Sequence, residues 1–366
     1  MIIIFGSIMA LALSLVHFII YKLIVTIFSL SVVWRIFTGV ILAILGISFV
    51  IASILTFYFN NSFTSFLYTT SASWLGFAVY LFIFSCLFFI VLWILHVFNL
   101  NVSLQYFGIL CFSLAIIFGI YGIIHARQII VKDINVSISN LPASWQGKKA
   151  VWISDLHLGA VYGRDFTRSI VVKINEINPD IVFIGGDIYD GVKINESEVI
   201  EPLIDLHPKL GTYFITGNHE EFRDDKHYLN AIRGAGIKVL NNEMVMIDGM
   251  QLIGVDDRDS TNVVKLKAIL SGLNIDKSTP SILLKHQPSQ LAEAAKAGIT
   301  FQISGHTHRA QMFPLNLFTS LIYKGYDYGF HKIDKMNVFT SSGTGTWGPP
   351  MRVGSDAEIV VLTFLK

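Results

Sequence analysis

The apolar residues of this chain fall into two contrasting patterns. Up to about residue 125 they run almost unbroken through four stretches: Ile2 to about Ser29, about Ile36 to Phe59, about Trp74 to Phe98, and about Leu104 to Ile124. Each is long enough to cross a hydrocarbon core, which takes about 20 helical residues. Polar breaks separate them: Arg35, the run Asn60-Asn61-Ser62 with Thr69-Thr70-Ser71, and Asn99 with Asn101. The pattern predicts a four-span helical bundle over residues 1–125. The first span is a poor cleavable signal, because no basic region precedes it and its apolar run is too long.

Beyond residue 126 the pattern changes to short apolar runs separated by amphipathic stretches. Ala150–Ile153, Ile181–Ile184, Thr212–Ile215, Lys238–Leu240, Gln251–Val255, Ser281–Leu284, Thr300–Ile303, Val338–Thr340 and Ile359–Phe364 read as strands. Several are continuously apolar, which suits strands buried on both faces. Helices are expected over Asp165–Ile177, Glu196–Leu206, Phe222–Ala235 and Pro288–Ala297, with stops at Asn178-Pro179, Gly236 and Gly298. An opening strand over Ile129–Ile138 leads into a turn around Pro142. This alternation predicts a layered α/β domain over 126–366, with helices outside one central sheet or a pair of sheets.

Charge sharpens the division. None of the 26 acidic residues precedes Asp133, none of the 9 prolines precedes Pro142, and the first 125 residues carry only Lys22 and Arg35 as fixed charges. Such a segment belongs in lipid, and the lack of an acid in any span argues against a proton-coupled pump. Lys22 and Arg35 flank the first loop, whereas Arg127 and Lys132 follow the fourth span, so positive charge gives no preferred orientation. His17, His96 and His125 are expected at the membrane interface. The formal net charge is +1 and no basic run appears, which excludes a case for nucleic-acid binding. Cys86 and Cys111 both lie in the apolar part, so the second part has neither disulfide nor thiolate ligand.

The chemistry lies in five polar runs at strand ends: Ser154-Asp155-Leu156-His157, Gly185-Gly186-Asp187, Gly217-Asn218-His219-Glu220, Lys285-His286-Gln287 and Gly305-His306-Thr307-His308. They bring Asp, Asn and His together, a donor set for hard-to-borderline divalent cations. Asp155 and His157 stand two apart on what is expected to be an extended segment, so both side chains face one side. The glycines before Asp187 allow a tight turn that lets its carboxylate bridge two cations.

These runs, in this order and spacing, resemble the signature of the calcineurin-like metallophosphoesterase superfamily, over nearly all of residues 150–366. The resemblance extends to its bacterial membrane-associated branch through Gly254-Val255-Asp256-Asp257 and Ser342-Gly343-Thr344-Gly345. It implies a central β-sandwich flanked by helices and two divalent ions (Mn, Fe, Zn or Mg). By position, one ion would be held by Asp155, His157, Asp187 and His308, and the other by Asp187, Asn218, His286 and His306. His219 would act as general acid near the leaving oxygen. Where the branch has Gly-Gly-Gln after the last histidine, this chain has Arg309-Ala310-Gln311. Arg309 and Arg352 are candidate phosphate contacts. Asp190 reads as a turn residue, Asp256, Asp257 and Asp259 as a structural cluster, and Glu220 as a helix-start carboxylate.

The expectation is thus a membrane-anchored phosphohydrolase of phosphodiester, pyrophosphate or phosphomonoester bonds, with a lipid-linked substrate among the options. It would sit in a bacterial inner membrane, with the side of the catalytic domain open. Alternatives are a UDP-2,3-diacylglucosamine-type pyrophosphatase and a non-catalytic membrane sensor or scaffold. The apolar segment Met312–Phe330 is expected either to pack as a hairpin loop or to lean on the bilayer.

Overall fold

A computed structural model describes residues 2–59, 61–100, 102–192, 194–222 and 225–366. The chain divides into two compact units, Met1–His125 with Gly348–Met351, and Ala126–Trp347 with Arg352–Lys366.

The first unit contains α1 (Ile2–Phe28), α2 (Val32–Tyr58), α3 (Ser62–Val97) and α4 (Gln105–Ala126). All four are long and apolar enough to cross a membrane. Helix α3 begins well before the expected Trp74, because Thr69-Thr70-Ser71 lie inside it and the break falls before Ser62. Asn61 Oδ1 accepts from Phe63 N at 3.0 Å and Thr64 N at 3.1 Å, and Thr64 Oγ1 accepts from Asn61 N at 3.0 Å. This capping box starts the helix. Further along, Ser71 and Ser73 donate to the carbonyls of Leu67 and Thr69, one turn back, at 2.8 and 2.7 Å. Such back-bonding removes the cost of a hydroxyl in lipid. His17 packs inside the helical unit. It is buried, its Nδ1 donates to Leu13 O at 2.8 Å, and its Nε2 accepts from Trp74 Nε1 at 3.0 Å.

The second unit runs β1 (Ile129–Ser137), β2 (Lys149–Ile153), α5 (Arg164–Ile177), β3 (Ile181–Ile184), α6 (Glu196–Ile200), β4 (Thr212–Phe214), α7 (Asp225–Gly234), β5 (Lys238–Val239), β6 (Glu243–Ile247), β7 (Met250–Gly254), α8 (Asp257–Ser260), α9 (Val263–Gly272), β8 (Ser281–Leu284), α10 (Leu291–Ala297), β9 (Phe301–Ser304), α11 (Asn316–Ile322), β10 (Gly329–Ile333), β11 (Met336–Thr340) and β12 (Ala357–Leu365). Two six-stranded sheets form, in the orders β1-β12-β2-β3-β4-β5 and β10-β11-β9-β8-β7-β6. Strands β2 to β5 are mutually parallel, as are β7, β8, β9 and β11.

The two-residue period of each strand splits its side chains between two cores. Trp152, Phe183, Leu252, Ile282, Phe301 and Phe339 meet between the sheets. Val151, Ile153, Val182 and Ile184 face outward against Ile170 and Ile174 of α5 and Tyr228 and Ile232 of α7. Leu283 and Ile253 face Leu266 and Leu270 of α9 and Leu291 of α10. Strands buried on both faces explain the continuous apolar runs, and the product is a β-sandwich flanked by helices. The helix expected over Glu196–Leu206 breaks after Ile200 into a 3-10 turn over Glu201–Asp205 that carries Pro202 near its start. Strands β6 and β10 and helices α9 and α11 were not anticipated.

Candidate metal centre

Parallel strands align their C-terminal ends, so the loops after β2, β3 and β4 and those after β8 and β9 gather at one edge of the sandwich. All five polar runs lie on these loops. Two close approaches press the loops together. Gly186 has φ +88°, and a Cβ there would sit 2.5 Å from Gly217 N; a Cβ on Gly305 would sit 2.4 Å from Asp155 Oδ2. Neither position tolerates a side chain. The segment Asp155–His157 is not extended, contrary to expectation: both residues take left-handed φ, at 58° and 48°. Asp187, His306 and His308 do the same, at 51°, 69° and 47°. Left-handed non-glycine residues carry strain and cluster at functional sites.

The structure brings the expected titratable side chains into one buried cluster. His157 Nε2 lies 3.0 Å from His308 Nε2, and His308 Nε2 lies 3.6 Å from Asp155 Oδ1. His306 Nδ1 lies 3.2 Å from His286 Nε2. Asp187 stands between these groups, its Oδ2 3.2 Å from His286 Nε2 and 3.8 Å from His157 Nε2. Ligand atoms of Asp155, His157 and His308 all lie within 4.8 Å of one another, as do those of Asp187, His286 and His306, and those of His157, Asp187 and His219. The other Asp187 oxygen accepts from the His219 backbone N–H at 2.9 Å. Asn218 Oδ1 is buried without a hydrogen-bond partner.

Burial and mutual charge set the protonation of these groups. Burial lifts Asp155 to about 6 and Glu220 to about 8, and with the Asp187 charge raises Asp190 well above the carboxylate range. It holds His157 and His308 well below the imidazole range and takes His306 down to about 3. Asp187 and His286 go the other way. Burial opposes both charges, yet the attraction between them lowers Asp187 and raises His286. A pocket that crowds carboxylates among imidazoles, three of which burial keeps neutral, supplies the donor types that divalent cations bind once deprotonated. The orphaned Asn218 oxygen adds a neutral donor of the kind such ions accept.

A second set of residues holds the loops in place. Glu220 is fully buried; its Oε2 accepts from Asp187 N at 2.9 Å and Gly217 N at 2.7 Å, and its Oε1 from Tyr189 N at 3.2 Å. It ties the Asp187 loop to the Asn218 loop. His286 Nδ1 donates to Gly185 O at 2.7 Å, which aims Nε2 at Asp187. Asp190 is more than a turn residue: its Oδ1 lies 3.7 Å from His157 Nδ1 and 4.0 Å from His219 Nδ1. Its place three positions after Asp187 was the available sequence signal.

Arg352 corrects an expectation. It is fully buried, its Nη2 donates to Ser342 O at 2.7 Å, Gly343 O at 3.2 Å and Gly345 O at 2.6 Å, and its Nη1 to Ser355 Oγ at 3.3 Å. The guanidinium is a brace for the 342–345 loop, not an open phosphate contact. Arg309 likewise has a partner outside the ligand cluster: its guanidinium carbon lies 4.5 Å from the Tyr328 ring centroid. Trp347, not singled out by sequence, is 55% exposed with its ring 5.7 Å from that of His219. Gln311 fixes its backbone, Oε1 accepting from Trp347 N at 2.6 Å and Nε2 donating to Trp347 O at 3.0 Å.

Residues 148–310 match the family model of calcineurin-like phosphoesterases. A transmembrane protein with metallophosphoesterase domain from Danio rerio is 32% identical over 270 residues, covering 69% of this chain and 61% of that protein. A protein of the same description from Bos taurus is 34% identical over 67% of this chain and 60% of its own length. An uncharacterized metallophosphoesterase of Aquifex aeolicus is 31% identical over 68% of this chain and 97% of its own length. The match thus spans about three fifths of the two vertebrate relatives and nearly all of the third. With its strand-end loops and their Asp, Asn and His residues at one edge of a β-sandwich, the chain belongs to the calcineurin-like metallophosphoesterase family.

Proposed function

We propose that the chain is a membrane-anchored phosphohydrolase that uses two divalent cations, with residues 1–125 as the membrane part and 126–366 as the catalytic domain. The observation that carries this reading is the position of Asp187, whose one carboxylate reaches toward both His157 and His286. Asp155, His157, Asp187 and His308 would hold one ion, and Asp187, Asn218, His286 and His306 the other. Such ions supply Lewis-acid neutralisation of phosphoryl oxygens and an activated water.

The chain's own residues do the rest. Asp187, fixed by the Glu220 bridge and the His219 backbone, keeps the two ligand groups at a constant separation. His219, with its Nδ1 next to Asp190, gives a proton to the departing oxygen of the ester. Burial lowers the His219 pKa, while Asp187 and the Asp190 main chain oppose that fall. The substrate is a phosphodiester, pyrophosphate or phosphomonoester, and a lipid-linked one suits a catalytic domain carried on four apolar helices.

The test is hydrolysis of bis-p-nitrophenyl phosphate and p-nitrophenyl phosphate by the detergent-purified chain, after chelation and again with Mn²⁺ restored. Turnover that returns with the ion and is lost in His219→Ala supports the reading. No turnover on either ester with ions bound would favour the sensor or scaffold.

A further inference from the structure

Helix α11 is built inside out for a helix in water. Leu317, Phe318, Leu321 and Ile322 are 57, 63, 76 and 70% exposed, Phe313 just before it is 51% exposed, and no residue of the helix is buried. Its polar residues turn inward instead. Thr319 Oγ1 donates to Asp327 Oδ2 at 3.2 Å, and the Asn316 side-chain oxygen is buried. A soluble surface helix does the reverse, placing its apolar stripe on the core. A contiguous apolar patch of this kind marks an interaction surface.

The chemistry of the patch selects its occupant. No acidic residue occurs from Met312 to Tyr326, and exposed Lys324 follows the helix directly. Apolar side chains bordered by a cation, with no carboxylate among them, fit acyl chains beneath anionic headgroups. Four helices of the same chain are long and apolar enough to cross a membrane, and only Arg127 and Gln128 separate α4 from β1, so the chain itself tethers this domain to a bilayer.

The patch is also coupled to the candidate metal centre. Asp327, which receives the Thr319 hydroxyl, gives its carbonyl to Thr307 Oγ1 at 2.6 Å, between His306 and His308. Tyr323, at the end of α11, sets its ring 6.2 Å from that of His306.

We propose that α11 and its flanks form an interfacial wedge that inserts into the bilayer and presents the phosphate of a membrane-embedded lipid to the His306 side of the metal centre. This deepens the phosphohydrolase reading above and rests on it for the second half only.

The experiment uses the full chain in vesicles of phosphatidylcholine and phosphatidylglycerol. A nitroxide is attached at Leu321→Cys in a background with Cys86→Ser and Cys111→Ser, with Val172→Cys on α5 as the aqueous control. Preferential collision with oxygen over a water-soluble nickel chelate at 321, but not at 172, is the expected result. A label at 321 that meets the chelate as freely as at 172 overturns insertion. One that meets neither reagent overturns it in favour of a protein partner.

This readout needs no activity, so it separates failure of the wedge from failure of the hydrolase. If the chain hydrolyses phosphoesters, Phe318→Ser with Leu321→Ser lowers turnover of a phospholipid ester in the vesicle by about tenfold, the effect of losing about 1.4 kcal/mol of apolar insertion. Turnover of bis-p-nitrophenyl phosphate stays unchanged. Equal loss on both substrates overturns delivery.

Discussion

The two units treat buried polarity in opposite ways. In the helical unit, hydroxyls return to the carbonyl one turn back, as in Thr56 to Ala52, Ser71 to Leu67 and Ser85 to Leu81. His17 has both ring nitrogens engaged. Among the described residues, the buried side-chain atoms that lack a hydrogen-bond partner all come from Trp152 onward, and His157 Nδ1, Asp190 Oδ1, Asn218 Oδ1 and His308 Nδ1 are among them. In lipid a polar group is satisfied locally or left out. In the sandwich, unsatisfied groups are concentrated where loops from both sheets converge, held there by strained backbone and by Glu220 and Arg352. Buried polar groups that a fold leaves unpaired in one place mark where a ligand belongs.

The contrast can be broken at its source. Asp187→Asn removes the shared charge and should lower kcat/KM by roughly 10³–10⁵ while metal content falls, checked by steady-state kinetics alongside elemental analysis. His219→Ala leaves the ligands intact. It should lower kcat by about 10²–10⁴ with metal content unchanged, which separates proton transfer from ion binding.

Arg352→Met sharpens the role of the braces. It strands the carbonyls of Ser342, Gly343 and Gly345, should destabilise the second unit by about 2–4 kcal/mol, and would show as a lowered unfolding midpoint. In the helical unit the comparable change is small. Asn61→Ala removes the capping box of α3 and should cost about 1 kcal/mol, read by denaturant titration in detergent, with phosphoesterase kcat unaffected.

Much of this architecture is legible in the residues alone, for identifiable reasons. The spans stand out because charge is missing from them, and β2, β3 and β8 because strands buried on both faces have no polar alternation. The seven expected ligands can be picked out as candidates because their polar runs stand at strand ends. The start of α3 was hidden, since sequence does not tell whether a serine is solvated or back-bonded. Helix α11 lacks an inward apolar stripe, so periodicity could not assign it to a core-facing helix. Arg352 was misread because a buried arginine that caps carbonyls and an exposed one that binds phosphate look alike in sequence. Asp190 was underrated because its contact with His219 depends on a turn whose direction only the fold reveals.

The most direct test of the central claim is the metal content of the purified chain by inductively coupled plasma mass spectrometry, for the wild type and for Asp187→Asn. The account predicts two divalent ions per wild-type chain and a loss of at least one in the variant. A wild-type chain that binds none when Mn²⁺ is supplied, or a variant that keeps both, would contradict it.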